Sequence, residues 1–399
     1  MDNEAEKPIM QPIIERIPRE ALKKELTDDK FVRDTRKGDN KIYDVTAEDS
    51  PQVMQELGRI REITFREAGG GTGLPADIDA FDVDDERPYH QLVVWDPEQE
   101  EILGGYRYIL CRDLDPEKMA TKELFVFSDK FVKDIMPFTI ELGRSFVQPM
   151  YQRMNLRRKG IYAVDNLWDG LGALVVKYPD YKYFFGKVTM YKNYNVEARN
   201  TLMNFMRLYF PDPDELVRCI EPLDIDARNT KWAELYDGLS LDEAYRKMQH
   251  EVRNLGEQVP PLINSYIGLT DTMRTFGTCN NYGFGGVEET GILLTIADMN
   301  PDKLERHVQP LRELADILLS SWFKAREKAK KAREEQNTTW QKNVRKAKDY
   351  ANKNLGKMPK INNPFKRKSA AKDNIDTKAQ KPTRKNVMNY LRRKNRKQK

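Results

Sequence analysis

The sequence predicts an α/β protein: a mixed, twisted sheet flanked by helices, followed by a basic C-terminal tail that starts helical and ends disordered. Three observations carry this. Strand-length apolar runs recur at 90–95, 102–110, 138–147 and 183–190. One stretch of helical apolar spacing, 160–177, stands between the last two, and strands interrupted in this way build a mixed sheet. The charge is also split along the chain. The whole carries 68 Lys+Arg against 63 Asp+Glu, a net of +5, but residues 321–399 hold 27 against 6. The tail is therefore +21 and residues 1–320 are −16, an asymmetry that points to a polyanionic partner.

Residues 1–50 are polar, with Pro8, Pro12 and Pro18, and are expected to form an extension holding one short helix. A longer helix starts at Ser50. Ser50 suits the cap and Pro51 the first turn, with Val53, Leu57, Ile60 and Ile63 or Thr64 following at helical spacing. The glycines of 69–73 (GGGTG) end it in a flexible loop. His90–Trp95, a turn at Asp96–Glu100 and Ile102–Leu110 read as a hairpin. Phe138–Val147 is a third strand stopped by Pro149, and after the helix Tyr183–Met190 returns to strand. Residues 195–258 read as helical and polar, and 259–299 as a second mixed segment. From about Pro310 a helix begins with an apolar face and ends almost wholly charged. Residues 351–399 are too hydrophilic to build a core. The expected division is 1–50, 51–200 as the core, 201–319 as the rest of the body, and 320–399 as the tail. No internal repeat is visible.

Several function classes are excluded. No apolar run reaches the length of a membrane span, and the start, MDNEAEKPIM, has no apolar stretch for a secretory signal. Cys111, Cys219 and Cys279 are odd in number and widely spaced, which fits a reducing cytoplasm. The GGGTG loop lacks the GK[ST] of a phosphate-binding loop. Gly143-Arg144-Ser145 is half a nucleophile elbow, but Val147 stands where its second glycine belongs. There is no HExxH and no close cysteine pair, so no metal site is expected.

Charges stand where strands should be apolar: Arg107 in ILGGYRYIL, Glu141 and Arg144 in FTIELGRSFV. Burying a charge costs several kcal/mol unless it is paired. Alternation puts Glu141, Gly143 and Ser145 on one face, and Leu142 and Arg144 on the other. A structural ion pair explains such residues, and so does a polar cleft cut into the sheet. In the second case Gly104 and Gly105 let a ligand approach the backbone.

Residues 54–195 resemble the GNAT-type acyltransferases that load long acyl chains onto amino acids. These include the ornithine and glycine lipid N-acyltransferases and the hemolysin-like proteins, with the acyl-homoserine-lactone synthases as more distant kin. The resemblance runs through RIREITFREA (59–68), DIDAFD with Asp79 and Asp82, HQLVV (90–94), GGYRY (104–108) and ELGRSFVQP (141–149). It continues through LWDGL (167–171) and Gly186 to Thr189, and VPPLINSYIGL adds a second block. The FGGVEETGILLTI stretch departs from the family's acidic pattern, and Glu288 and Glu289 are the acidic residues it offers there.

The resemblance implies a GNAT-like fold and transfer of a long, plain or 3-hydroxylated, acyl group to the α-amine of an amino acid of glycine or ornithine type. It implies Glu141 as the group that deprotonates or orients the amine, and main-chain N–H groups near Gly143–Val147, with Ser145 between, as carbonyl polarisers. Arg107 and Arg144 then fix Glu141 and the aspartates, or clamp the substrate carboxylate. Asp79 and Asp82 bind the ammonium or hold the entrance. A GNAT enzyme cradles the coenzyme A pyrophosphate in a glycine-rich turn, but YQRMNLRRKGIYA holds Gly160 alone, beside Arg153, Arg157, Arg158 and Lys159. That favours the phosphopantetheine thioester of acidic acyl carrier protein as donor, with no bound cofactor. The tail is expected to hold the protein at the inner face of the cytoplasmic membrane through anionic lipid, with nucleic acid the lesser expectation. The competing readings are an inactive acyltransferase-like scaffold and a lysolipid O-acyltransferase.

Overall fold

The computed structural model describes residues 10–152, 160, 162–225, 230–302, 307 and 331. Every strand and helix described here belongs to residues 1–312, the first of two compact units. Arg153, Arg157, Arg158 and Lys159, and the tail from 320 apart from residue 331, lie outside the described residues.

The core is an eight-stranded sheet. Its strands are β1 (Phe31–Asp34), β2 (Lys41–Val45), β3 (His90–Asp96), β4 (Glu101–Leu110), β6 (Thr139–Val147), β7 (Tyr183–Met190), β9 (Arg274–Asn281) and β10 (Val287–Thr295). They lie in the order β1-β2-β3-β4-β6-β7-β10-β9. A separate two-stranded sheet joins β5 (Phe125–Phe127) to β8 (Val217–Cys219). Seven α-helices stand among the described residues, besides short 3-10 and π turns: α1 (Arg19–Glu25), α2 (Pro51–Glu67), α3 (Ala163–Lys177), α4 (Val196–Tyr209), α5 (Thr230–Tyr236), α6 (Leu241–Asn254) and α7 (Pro261–Ile267). The mixed α/β sheet and the hairpin of 90–110 are as expected.

Every neighbouring pair in the large sheet is antiparallel except β6 and β7. These two are parallel and pair only from Thr139↔Tyr183 to Glu141↔Phe185. Beyond that point β7 stays with β10 over its full length while β6 stays with β4. The sheet therefore opens a gap in its middle.

Residues 1–50 are more than an extension. After α1, as the single short helix expected, β1 and β2 form a hairpin that adds two strands to the sheet beside β3. Ile42 and Val45 are fully buried there. The charge that hides this hairpin in the sequence is itself paired: Asp44, at 7% side-chain exposure, bonds His90, Tyr108 and Lys177. The cap of α2 also differs from expectation. Ser50 makes no capping bond; Glu25 of α1 instead accepts from the N–H groups of Gln52 and Val53 at 3.1 and 2.9 Å. A carboxylate at a helix start is favourable because it meets unpaired donors and the positive end of the dipole.

The GGGTG loop is anchored. Glu62, fully buried on α2, accepts from Thr72 N, Thr72 Oγ1 and Gly73 N at 3.0, 2.7 and 2.8 Å. Gly104 and Gly105 also prove to serve the sheet rather than a ligand. A Cβ at Gly104 would stand 2.4 Å from Phe146 O, and one at Gly105 2.4 Å from Leu92 O.

Two apolar clusters cover one face of the sheet. One packs α1 and α2 on Val93, Trp95, Ile102 and Phe146; the other packs Phe125, Phe131 and Met119 around Ile109 and Phe185. Helix α3 covers the opposite face, where Gly170 lets it approach Tyr106 and Leu92. The charged strand residues emerge in the seam between the two clusters.

Candidate active site

Register decides which side chains meet. Arg107 pairs with Gly143, Glu141 with Ile109 and with Phe185, and Glu289 with Thr189. Cross-strand partners share a face, so Arg107, Glu141, Gly143, Phe185, Lys187, Thr189 and Glu289 form one row across four strands. Arg144 departs from the expected alternation. The β4–β6 register shifts between Gly105 and Arg107, and Arg144 has φ 51°. This bulge turns its side chain to the side of Arg107 rather than away from it.

The reason for the turn is a buried charge network. Arg61 on α2 meets Asp77 at 3.2 Å and Asp82 at 2.7 Å; Arg107 meets Asp79 at 2.6 Å and Asp82 at 3.1 Å. Arg144 meets Asp77 at 2.9 Å and Asp79 at 3.4 Å, and its guanidinium lies 4.3 Å from the centre of the Phe284 ring. Three arginines thus match three aspartates. Burial pushes the Asp77 and Asp82 carboxyls up, but the arginines more than reverse it, and both stay ionised. Removing one partner of a buried pair costs about 3–5 kcal/mol, so this network is a rigid base for whatever stands on it.

Glu141 stands beside that base, 1% exposed. Its carboxylate accepts from Thr121 N at 2.8 Å and from the Tyr89 hydroxyl, which itself accepts from Ala120 N at 2.9 Å. The Arg107 guanidinium lies 4.9 Å from the centre of the Tyr89 ring. Burial raises the Glu141 carboxyl above its ordinary value, and the bonds from Tyr89 and Thr121, with Arg107 nearby, only partly offset it. A carboxylate raised in this way is a better proton acceptor than an exposed one.

A cavity joins these groups. Its polar floor carries Tyr89, Arg107, Thr121, Glu141, Lys187 and Glu289, with Gly143, Arg144 and Ser145 at the gap in the sheet. Its apolar wall comes from the other sheet face: Tyr106, Phe184, Ile292 and Leu294 against Leu167, Trp168 and Leu171 of α3 and Tyr266 of α7. The cavity therefore passes through the sheet where β6 and β7 part. Glu289 is held across the floor by Lys187 at 2.5 Å, Thr189 Oγ1 at 3.1 Å and Asn281 at 2.9 Å, whereas Glu288 faces away and pairs with Arg199 at 2.5 Å.

Of the residues singled out in the sequence, Glu141, Arg107, Arg144, Gly143, Ser145, Gly186, Thr189 and Glu289 line this cavity. Asp79 and Asp82 do not; they hold the arginines. Gly104, Gly105 and Val147 do not either, Val147 being the sheet partner of Gly104. No histidine lines it, which removes the base that a serine nucleophile would need. Among the described residues no cluster of His, Cys, Asp or Glu could hold a metal ion. Sequence reasoning missed Tyr89, Thr121 and Lys187 as lining residues and Asp77 in the network, while Trp168 and Arg61 stood inside the LWDGL and RIREITFREA segments without being given a role. Asp77 also left a readable signal, standing two residues before Asp79 in a run of alternating aspartates.

Residues 60–158 match the family model described as an acetyltransferase (GNAT) domain. The chain is 50% identical over 305 residues to a glycine N(alpha)-acyltransferase of Phocaeicola vulgatus, covering 75% of this chain and 93% of that protein. It is 49% identical over 309 residues to a glycine N(alpha)-acyltransferase of Bacteroides thetaiotaomicron, covering 76% and 91%. No solved structure matches.

Proposed function

The chain belongs to the GNAT-fold amino-acid N-acyltransferases, and from that premise we propose that it moves a long-chain acyl group, plain or 3-hydroxylated, from acyl carrier protein to the α-amine of glycine. The product is an aminolipid or its precursor. One observation carries this reading: a cavity whose polar floor and apolar wall lie on opposite faces of one sheet and meet at the gap between β6 and β7. An acyl thioester has the same division, with a polar reacting end and a hydrocarbon tail. The tail lies along Leu167, Trp168 and Leu171, and the carbonyl sits in the gap.

Glycine enters as an ammonium ion and must first lose a proton to solvent. The neutral nitrogen then adds to the thioester carbon while main-chain N–H groups of Gly143–Val147 stabilise the oxyanion. Glu141 takes the second proton from nitrogen. The C–S bond breaks and that proton ends on the departing thiolate, so thioester and amine give amide and thiol.

The donor reading rests on Gly160 and its neighbours. A Cβ at Gly160 would lie 2.0 Å from Tyr151 O, so this glycine serves chain packing and leaves no glycine-rich cradle for a pyrophosphate. Arg153, Arg157, Arg158 and Lys159 suit the acidic surface of a carrier protein instead. Among the described residues no helix is long and apolar enough to cross a membrane. The +21 tail is the proposed contact with an anionic membrane surface, into which a single-chain amphiphile would leave.

The test is acyl transfer by the purified full chain, offered acyl carrier protein or coenzyme A thioesters, with glycine, ornithine or a lysolipid as acceptor. Preferred use of the carrier thioester with glycine supports the reading. Equal use of both donors sinks the carrier assignment, and acylation of the lysolipid alone sinks the N-acyltransferase assignment.

A further inference from the structure

The apolar wall runs on past the cavity. Val164, Leu167, Trp168 and Leu171 of α3 line the cavity, and a second, smaller pocket continues the same stripe through Trp168, Leu171, Gly172 and Val175. Spacings of three and four residues keep these positions on one face of the helix. Phe184 of β7 lines both spaces, and Leu269, Met299 and His307 complete the second among the described residues. Its place follows from the chain. The short connection 178–182 brings the C-terminal end of α3 beside the start of β7, at Phe184, whereas the gap opens further along β7, past Phe185. The second pocket therefore lies at the end of the wall away from the gap.

That end is held in place. Residue 172 must be small, since a Cβ there would stand 2.4 Å from His307 O. The same carbonyl accepts from Arg33 Nη1 of β1 at 2.6 Å, and the His307 ring bonds Asp169 of α3 through Nδ1 at 3.2 Å. Asn300 N donates to Leu269 O at 2.7 Å, which ties together the segments that carry Met299 and Leu269.

We propose that this second pocket takes the methyl end of the donor's acyl chain, and that Val175, Leu269, Met299 and His307 set the chain length the protein accepts. The inference rests on the donor being an acyl thioester, as proposed above. A pocket lined almost wholly by apolar side chains favours hydrocarbon over water. Continuity selects the occupant: Trp168, Leu171 and Phe184 belong to both spaces, so a chain whose carbonyl sits in the gap reaches the pocket without leaving the wall. From Val164 to Val175 the stripe rises about 16 Å, at about 1.5 Å per residue. An extended hydrocarbon advances about 1.25 Å per carbon, given C–C bonds of about 1.5 Å at tetrahedral angles, so the stripe matches about thirteen carbons beyond the gap. A shorter tail leaves the pocket unfilled, and a longer one meets the anchored far end.

The test is the donor-length profile of the full chain, with glycine as acceptor and straight-chain thioesters from decanoyl to eicosanoyl. Each is offered on carrier protein and on coenzyme A, so that a wrong carrier assignment does not hide the profile. For the wild type kcat/KM should climb with length, by up to about fourfold per methylene, and turn down once the tail passes about thirteen carbons beyond the gap. Val175→Phe fills the pocket from α3 and should lower the hexadecanoyl-to-decanoyl ratio of kcat/KM by about tenfold or more. Met299→Ala enlarges the far end and should move the optimum to longer donors. Thermal unfolding is followed for each variant, and if Val175→Phe does not fold, Leu269→Phe fills the same pocket from another segment. A wild-type profile that is flat from decanoyl to eicosanoyl, or a folded filling variant that keeps the wild-type ratio, overturns the length gauge and leaves the acyl-transfer reading standing. Absence of transfer from donors of every length overturns the proposed function, and the gauge with it.

Discussion

Replacing Glu141 by Gln separates the chemistry of the site from its architecture. The amide keeps the volume and still accepts from Thr121 N. Tyr89 loses an anionic acceptor, but its oxygen still takes the Ala120 N–H and can take one from the new amide. Losing that charge-assisted bond is offset by no longer burying a carboxylate, so stability at neutral pH should change by only about 1 kcal/mol. The rate should not survive. Loss of a positioned base costs about 100-fold or more, equivalent to about 2.7 kcal/mol in the barrier.

Linkage gives this variant a second signature. Burial raises the Glu141 carboxyl above its ordinary 4.5. A raised group contributes stability that is fully present below the ordinary value and is lost as pH rises through the folded value. Glutamine does not titrate and escapes that loss. The Tm of Glu141→Gln minus that of the wild type should therefore grow as pH rises from the ordinary glutamate value towards neutrality. The assay is acyl transfer to glycine beside thermal unfolding across pH. A folded variant with near-normal turnover refutes the assignment of Glu141 as the base.

Three further outcomes follow. Gly104→Ala should cost about 3 kcal/mol or more in chemical denaturation, since its Cβ would lie 2.4 Å from Phe146 O; a neutral result would mean that β4 and β6 can part freely. Reversing charge at Arg157 and Arg158 should raise KM for the carrier thioester, most strongly at low salt, and a change insensitive to salt contradicts a carrier-docking role. Deleting 336–399 should abolish sedimentation with anionic liposomes and leave neutral liposomes and DNA as before; equal binding by both proteins removes the tail as an anchor.

The hairpin of 90–110, the strand of 183–190 and helix α3 were legible because long apolar runs keep their period. The β1–β2 hairpin was not. Its strands have four and five residues, and Arg33, Asp34, Lys41 and Asp44 interrupt them in a pattern that reads as solvated surface. Only the tertiary pairing of Asp44 with Lys177, His90 and Tyr108 makes that charge tolerable inside. In the site, Arg107, Glu141 and Arg144 announced themselves as charges inside strands. The face of Arg144 could not be read, because alternation assumes an unbroken strand and a bulge resets it. Thr121, in a 3-10 turn (Ala120–Glu123), and Tyr89, just before β3, lie 20 and 52 residues before Glu141, where nothing in the local sequence ties them to it. Gly104 and Gly105 gave a true signal with the wrong beneficiary: the close approach they permit is that of neighbouring strands.

The most direct test of the central claim is the lipid that the protein makes. Bacteria overproducing the wild type or Glu141→Gln, fed isotopically labelled glycine, should be extracted and compared by mass spectrometry. The account predicts a long-chain N-acylglycine carrying the label in the wild type and nearly absent in the variant. Label-free lipid products, or equal amounts of labelled N-acylglycine from both, would contradict it.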